Sequence, residues 1–164
     1  MNLIMVQDAR EKKNKHCNIE KYCNDNNIPI IRKRLNVGDY RLATISDNGC
    51  LKFINKISVD TKGGGLLELA NDLYRDKLEF NKKYKKCYQD KIKLIVLVEQ
   101  PIKNLKELLE WKSPHTRISG RQLLEMIHTL KVSYQIDFKF CDPKDTGETV
   151  ISLLSGKKQH ITAF

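Results

Sequence analysis

No stretch of this chain stays apolar for long. The opening Leu3-Ile4-Met5-Val6 stops at Asp8, and nothing later reaches the roughly 20 residues that span a bilayer, so neither a membrane span nor a signal peptide is expected. Cysteine pairs at metal-ligand spacing are missing too. The five cysteines, Cys17, Cys23, Cys50, Cys87 and Cys141, are odd in number and never form C-x-x-C. They read as reduced, partly buried thiols of a cytoplasmic protein, not as a zinc site or a disulfide framework. His16, His115, His128 and His160 show no metal-ligand spacing either, and His128 reads as a packing residue on its helix. There is no internal repeat and no low-complexity linker. One domain over 1–155 with a flexible polar tail at 156–164 is the economical reading, and 164 residues suffice for a hydrophobic core without a structural metal.

Acid is the other scarcity. Twenty Asp plus Glu against 30 Lys plus Arg leave a net charge of +10. Such an excess implies a polyanionic partner, and nucleic acid fits better than a membrane because no lone cationic amphipathic helix stands out. The abundance of Lys, Asn and Ile fits an AT-rich bacterial or phage genome.

What is present alternates strands with helices. Leu3 to Val6 suits a central strand that delivers Asp8, Arg10 and Glu11 just past its end, where α/β folds commonly place chemistry. A helix over 15–27 and a strand over 28–35 lead into Val37-Gly38-Asp39-Tyr40, a tight turn presenting an acid. Strands over 40–45 and 51–59 flank Asn48-Gly49, a strong hairpin signal. Alternation along the second of these puts Asp60 and Lys62 side by side on its more polar face. After Gly63-Gly64-Gly65, the apolar positions Leu66, Leu69, Ala70, Leu73, Phe80, Tyr84 and Cys87 keep the spacing of one long helix. The glycines are either a phosphate-binding turn or a plain breaker. Lys82, Lys83, Lys85 and Lys86 form a basic face, either a DNA backbone contact or a solvated surface. Ile92 to Val98 is the clearest buried strand and ends at Glu99 and Gln100. A short helix near 104–111, a polar connection over 112–118, a capping box at Ser119 and Gln122, a strand over 137–140 and an Asp142-capped helix to Leu154 complete the order. A hairpin inside an alternating pattern predicts an α/β fold with a mixed central sheet flanked by helices on both faces.

Asp8-Ala9-Arg10-Glu11, Val37-Gly38-Asp39-Tyr40 and Val59-Asp60-Thr61-Lys62, in this order, resemble the D-x-R-E, G-D and E-R-K motifs of the XPF-type structure-specific endonuclease domain. That family belongs to the restriction-endonuclease-like PD-(D/E)XK superfamily, and the likeness covers nearly the whole chain. Asp60 stands where the family usually has Glu, and Thr61 replaces an Arg. A further acid, expected four residues after the lysine, falls on Leu66, which leaves Glu68 or Asp72 to take its place. The DNA-gripping helix-hairpin-helix repeat is missing, so the chain is similar to minimal single-domain versions from bacteria and phages.

The resemblance implies a Mg²⁺-dependent DNA endonuclease, with Mn²⁺ as a substitute ion, acting on branched or otherwise structured DNA in repair or recombination, inside a bacterial cell or a phage-infected host. Its functional residues would be Asp8, Arg10, Glu11, Asp39, Asp60 and Lys62. It also implies DNA as partner, pairing of two copies, and neither a membrane nor an organic cofactor. The chemistry agrees: hydrolysing a phosphodiester needs a placed water and relief of charge on the phosphate, which carboxylate-held Mg²⁺ provides. Asp39 and Asp60 are the first ligands, with Asp8 or Glu68 as a further acid. Lys62 would orient or help deprotonate the water, and Arg10 would hold a phosphate oxygen. Two other readings stand beside this one. The chain is a catalytically silent DNA-binding or dimerisation module on the same fold, or an unrelated nucleic-acid-binding α/β protein.

Overall fold

Short β-branched and leucine-rich runs form the strands, and leucines at helical spacing form the layers that cover them. The computed structural model describes residues 3–12, 15–75, 77–157 and 162–163. The strands are β1 (Ile4–Asp8), β2 (Ile30–Lys33), β3 (Tyr40–Ile45), β4 (Leu51–Phe53), β5 (Ile57–Lys62), β6 (Lys93–Val98), β7 (Asp137–Phe140) and β8 (Thr162–Ala163). The helices are α1 (Cys17–Asp25), α2 (Gly65–Tyr74), α3 (Lys77–Gln89), α4 (Leu105–Glu110), α5 (Gly120–Tyr134) and α6 (Thr146–Leu154). Among the described residues the sheet has eight strands in the order β2-β1-β3-β5-β6-β7-β8, with β4 also beside β3. It is mixed: β1 lies parallel to β2 and antiparallel to β3, whereas β6 runs parallel to both β5 and β7.

The two cores follow from alternation along β6. Leu94, Val96 and Val98 face Leu66, Leu69, Leu73, Leu123 and Ile127 of α2 and α5. Ile95 and Leu97 point the other way, onto Ile19, Cys23, Val150 and Leu154 of α1 and α6. Each such side chain contributes about 1.5–3 kcal/mol by leaving water, which is why this strand is apolar throughout instead of alternating. Helices on both faces of a mixed α/β sheet match the expected architecture. No helix among the described residues is long and apolar enough to cross a membrane.

Several local expectations are corrected. The strand expected over 51–59 is two strands. Asn55 bends the chain by accepting from Ile57 N–H at 3.0 Å and donating to the Leu154 carbonyl at 2.6 Å. This bend sends β5 to the opposite end of β3, where Tyr40 pairs with Val59. Asp60 and Lys62 are therefore not on a solvated face but buried, because α2 and α3 cover that side. The single helix expected from Leu66 to Cys87 is divided into α2 and α3, since apolar side chains at core spacing lapse between Leu73 and Phe80, while Tyr74 and Leu78 are exposed. His128 is exposed on α5 and packs no core. Within the tail, Thr162–Ala163 pairs with β7; the remainder of the expected loose segment falls largely on 158–161 and 164, outside the described residues.

Candidate active site

Gly38 sets the position of the first acid. Its φ of +72° is left-handed, and a Cβ there would run into the Ser58 hydroxyl and lie 3.0 Å from the Val59 carbonyl oxygen, so glycine alone lets the turn press against β5. Ser58 Oγ donates to the Val37 carbonyl at 2.7 Å, and Asp39 N–H donates to Val59 O at 2.8 Å. The turn thereby brings Asp39 beside Thr61, whose backbone N–H and hydroxyl donate to Asp39 Oδ2 at 2.8 and 3.0 Å.

Alternation along β5 turns Thr61 to one face and Asp60 and Lys62 to the other. Lys62 Nζ lies 2.9 Å from Asp60 Oδ1 and 2.8 Å from Asp72 Oδ2. The second Asp60 oxygen is paired with Lys83 of α3, and the Phe80 ring lies 4.8 Å from Lys62 Nζ. Burial alone would neutralise Lys62, but Asp60 and Asp72 outweigh it and hold the ammonium charged above its ordinary range. Burial likewise opposes ionisation of Asp60, yet Lys83 and Lys62 depress its carboxyl well below the usual range. Asp39 moves oppositely: burial, then repulsion from Asp60, raises it.

Asp8 and Arg10 form a fork. Arg10 Nε is 3.1 and 3.0 Å from the two Asp8 oxygens, and Nη2 pairs with Asp8 while donating to Leu35 O at 2.8 Å. Arg10 is still 57% exposed. Asp8 N–H donates to Asp39 O at 2.7 Å, which ties the end of β1 to the same turn. Asp8, Arg10, Glu11 and Asp39 line a cleft of about 510 Å³ with Lys82, Lys83 and Lys86 of α3. Asp60 and Lys62 lie behind it, under Lys83.

The ERCC4 domain pattern matches residues 7–153. The chain belongs to the ERCC4 domain family. This ERCC4 domain is similar in fold to XPF from Aeropyrum pernix, at 21% identity and a TM-score of 0.62, over 92% of this chain and 62% of that one. A complex of the Aeropyrum pernix XPF with DNA matches likewise, at a TM-score of 0.63 and 21% identity over the same shares. The domain thus spans less than two thirds of the solved chains it resembles. No curated protein sequence matches it.

Of the residues singled out in the sequence, the ERCC4 domain brings Asp8, Arg10, Glu11 and Asp39 to one cleft. It sets Asp39 against Thr61 of β5, whose neighbours Asp60 and Lys62 turn to the other face of the strand, close enough for Asp60 to repel Asp39. Buried carboxylates that repel each other, built of hard oxygen donors, fit a divalent cation such as Mg²⁺. Asp39 is the carboxylate best placed to hold it; Asp8 is engaged by Arg10, and both oxygens of Asp60 are engaged by Lys62 and Lys83. Glu68 is engaged elsewhere, because its Oε2 accepts from Gly64 N–H at 2.7 Å. Leu66 N–H is taken by Gln100 Oε1 at 2.9 Å. At the start of α2 the N–H groups of Gly64 and Leu66 are thus occupied by side-chain oxygens of the protein itself. Of the two acids weighed for the place of the buried Leu66, Asp72 is the one in contact with Lys62.

His16, Lys83 and Glu99 are neighbours of these residues that motif spacing does not reveal. His16 Nε2 lies 3.1 Å from Thr61 Oγ1 across 45 residues of sequence, and its Nδ1 lies 3.4 Å from Glu99 Oε1. Burial disfavours the charged imidazole, but the neighbouring carboxylates of Glu11 and Glu99 outweigh it and raise His16 to about 9. The one available signal is the placement of Glu99 at the end of a buried strand. Lys83 belongs to the basic face already noted, yet only the fold shows that it turns inward.

Proposed function

We propose that this ERCC4 domain is a metal-dependent endodeoxyribonuclease that hydrolyses phosphodiester bonds in branched or otherwise structured DNA. The observation that supports this reading is a cleft lined with Asp39, Arg10, Lys82, Lys83 and Lys86, backed by a charged Lys62 and a buried Asp60 that repels Asp39. Mg²⁺, with Mn²⁺ as substitute, would supply charge neutralisation at the phosphate and a water of lowered pKa when bound. Asp39 would hold the ion, joined by Asp60 if the ion replaces Lys83 at its second oxygen. Lys62, kept protonated by two carboxylates, orients the water and offsets charge building on the phosphate, a role that suits a compact cation better than proton abstraction. Asp8 fixes Arg10, whose exposed face reaches a phosphate oxygen, while the α3 lysines follow the backbone without reading sequence. Pairing of two copies is part of the proposal, and exposed Tyr74, Leu78 and Val132 supply apolar surface for it.

The deciding assay offers single-stranded, duplex, flap, fork and four-way DNA with Mg²⁺, Mn²⁺ or EDTA. The proposal expects metal-dependent cuts near branch points, absent in Asp60→Asn. Salt-sensitive binding to every substrate without cleavage in either metal would leave a silent DNA-binding module instead. Light scattering of the purified chain tests the pairing.

A further inference from the structure

Next to Asp39 lies a set of donors outside the matched acid and lysine pair of β5. Glu11, His16 and Asp39 each offer a ligand atom, and these atoms lie within 4.8 Å of one another. His16 Nε2 is 3.7 Å from Glu11 Oε2. The imidazole is buried, and its other nitrogen faces Glu99 Oε1, a buried oxygen with no hydrogen-bond partner. That oxygen sits on a side chain only 9% exposed and 3.4 Å from Nδ1.

We propose that Glu11, His16 and Asp39 form a binding site for a divalent transition cation of the Mn²⁺, Co²⁺ and Zn²⁺ class, with His16 Nε2 as its selective ligand. Glu99 faces Nδ1 and fixes the ring; the ion takes the place of the Nε2 proton, which leaves to solvent, so that the freed Nε2 lone pair meets it between Glu11 and Asp39. A carboxylate behind a ligating histidine is the arrangement that orients the ring and raises its basicity. An imidazole nitrogen favours these ions over Mg²⁺, which prefers an all-oxygen set. Donors bound to one such ion at about 2.1 Å lie roughly 3–3.4 Å apart, so the present spacing needs a closure on the order of 1 Å. Glu11 has room for it, being 20% exposed. Lys15 Nζ, now 3.1 Å from Glu11 Oε2, lies 3.9 Å from Glu68 Oε1 and can pass to that acid when an ion takes Glu11. Thr61 Oγ1, 3.1 Å from Nε2, offers one more oxygen. The site shares Asp39 with the Asp39–Asp60 pair, but its occupancy does not depend on the nuclease reading.

The test uses the whole chain, stripped of metal, without DNA, and with ¹⁵N-labelled histidine. Zn²⁺ is titrated in and imidazole nitrogen signals are followed, with His16→Gln identifying the His16 signal. The His16 Nε2 resonance should move at one ion per chain, while those of the exposed His115 and His128 stay still and Mg²⁺ leaves the His16 signal unmoved. Glu11→Gln, a change at a partly exposed side chain, should weaken Zn²⁺ binding at this site by at least about 10-fold. A His16 signal that ignores saturating Zn²⁺, or Zn²⁺ binding as tight in Glu11→Gln as in the parent chain, would overturn the site. Because no DNA and no cleavage enter the readout, an inactive protein that still shows the shift would count against the nuclease proposal alone.

Discussion

Lys83 of α3 pairs with one oxygen of Asp60 while Lys62 holds the other at 2.9 Å. A buried carboxylate is thus neutralised by two ammonium groups from opposite sides, one of them on a helix that borders the cleft. In EDTA, Lys83→Ala should destabilise the fold by about 1–3 kcal/mol, the usual worth of a hydrogen bond to a charged group. Saturating Mg²⁺ should recover much of that loss, because an ion at Asp39 and Asp60 supplies the same positive charge. Thermal melts of both proteins with and without Mg²⁺ check this; an equal deficit in both conditions would separate Lys83 from the metal.

Asp60 and Lys62 should respond differently to removal. Asp60→Asn leaves Lys62 with Asp72 alone and Lys83, partly exposed, without its acid, so it should abolish cleavage and cost about 1–3 kcal/mol. Lys62→Met leaves Asp60 paired with Lys83 and frees Asp72, which is partly exposed. Its main effect should be on kcat, a drop of about 10²-fold or more, with a smaller loss in urea midpoint. Single-turnover cleavage alongside urea denaturation distinguishes the two patterns.

The three motif segments are legible in the sequence because each is local: an acid at a strand end, a glycine turn, an acid and lysine two apart. The central strand β6 and the Ser119 capping box are legible for the same reason. What joins the segments is not. The bend at Asn55 depends on a carbonyl of α6, 99 residues away, and burial of Asp60 and Lys62 depends on α2 and α3 folding over them. Asp72 is visible as an acid after the lysine, but its contact with Lys62 depends on the path of α2. His16 is hidden furthest, since its partners Glu11, Thr61 and Glu99 come from three separate segments. The cysteines divide as their composition suggests, with Cys23, Cys87 and Cys141 buried and all five unbridged.

Gly38→Ala tests whether the turn is what aims Asp39. The added methyl meets Ser58 and Val59 and must adopt φ of +72°, so the turn has to lift off β5. A destabilisation of about 1–3 kcal/mol is expected from the strained conformation alone. Metal binding should weaken with it, since Asp39 would lose its two bonds to Thr61. Calorimetric Mn²⁺ binding at a temperature where the variant remains folded gives the second readout; unchanged affinity would mean that Asp39 does not hold the ion.

The last prediction concerns pH and the metal-free protein. His16 is raised to about 9 from an ordinary 6.5, because its interactions with the Glu11 and Glu99 carboxylates outweigh the opposing effect of burial. The folded state then holds this proton more tightly than the unfolded chain, so the stabilisation is complete below pH 6.5 and lost as pH rises through 9. Glu11 works at the other end: bonded to His16 and lowered to about 2 from 4.5, it stabilises above pH 4.5 and loses that contribution as pH falls toward 2. Asp39 is raised, so its cost begins once pH climbs above 3.8. The buried thiols of Cys23 and Cys87, pushed up by burial to about 11 and about 12 from 9, weaken the fold only above pH 9. The interval from pH 6.5 to 9 therefore carries the His16 contribution on top of any remaining Asp39 slope. Urea midpoints in EDTA across pH 4–9 should fall on this alkaline limb by the equivalent of roughly 2–3 kcal/mol. In His16→Gln that limb should flatten; a variant profile as steep as the parent's would assign the loss to Asp39 instead.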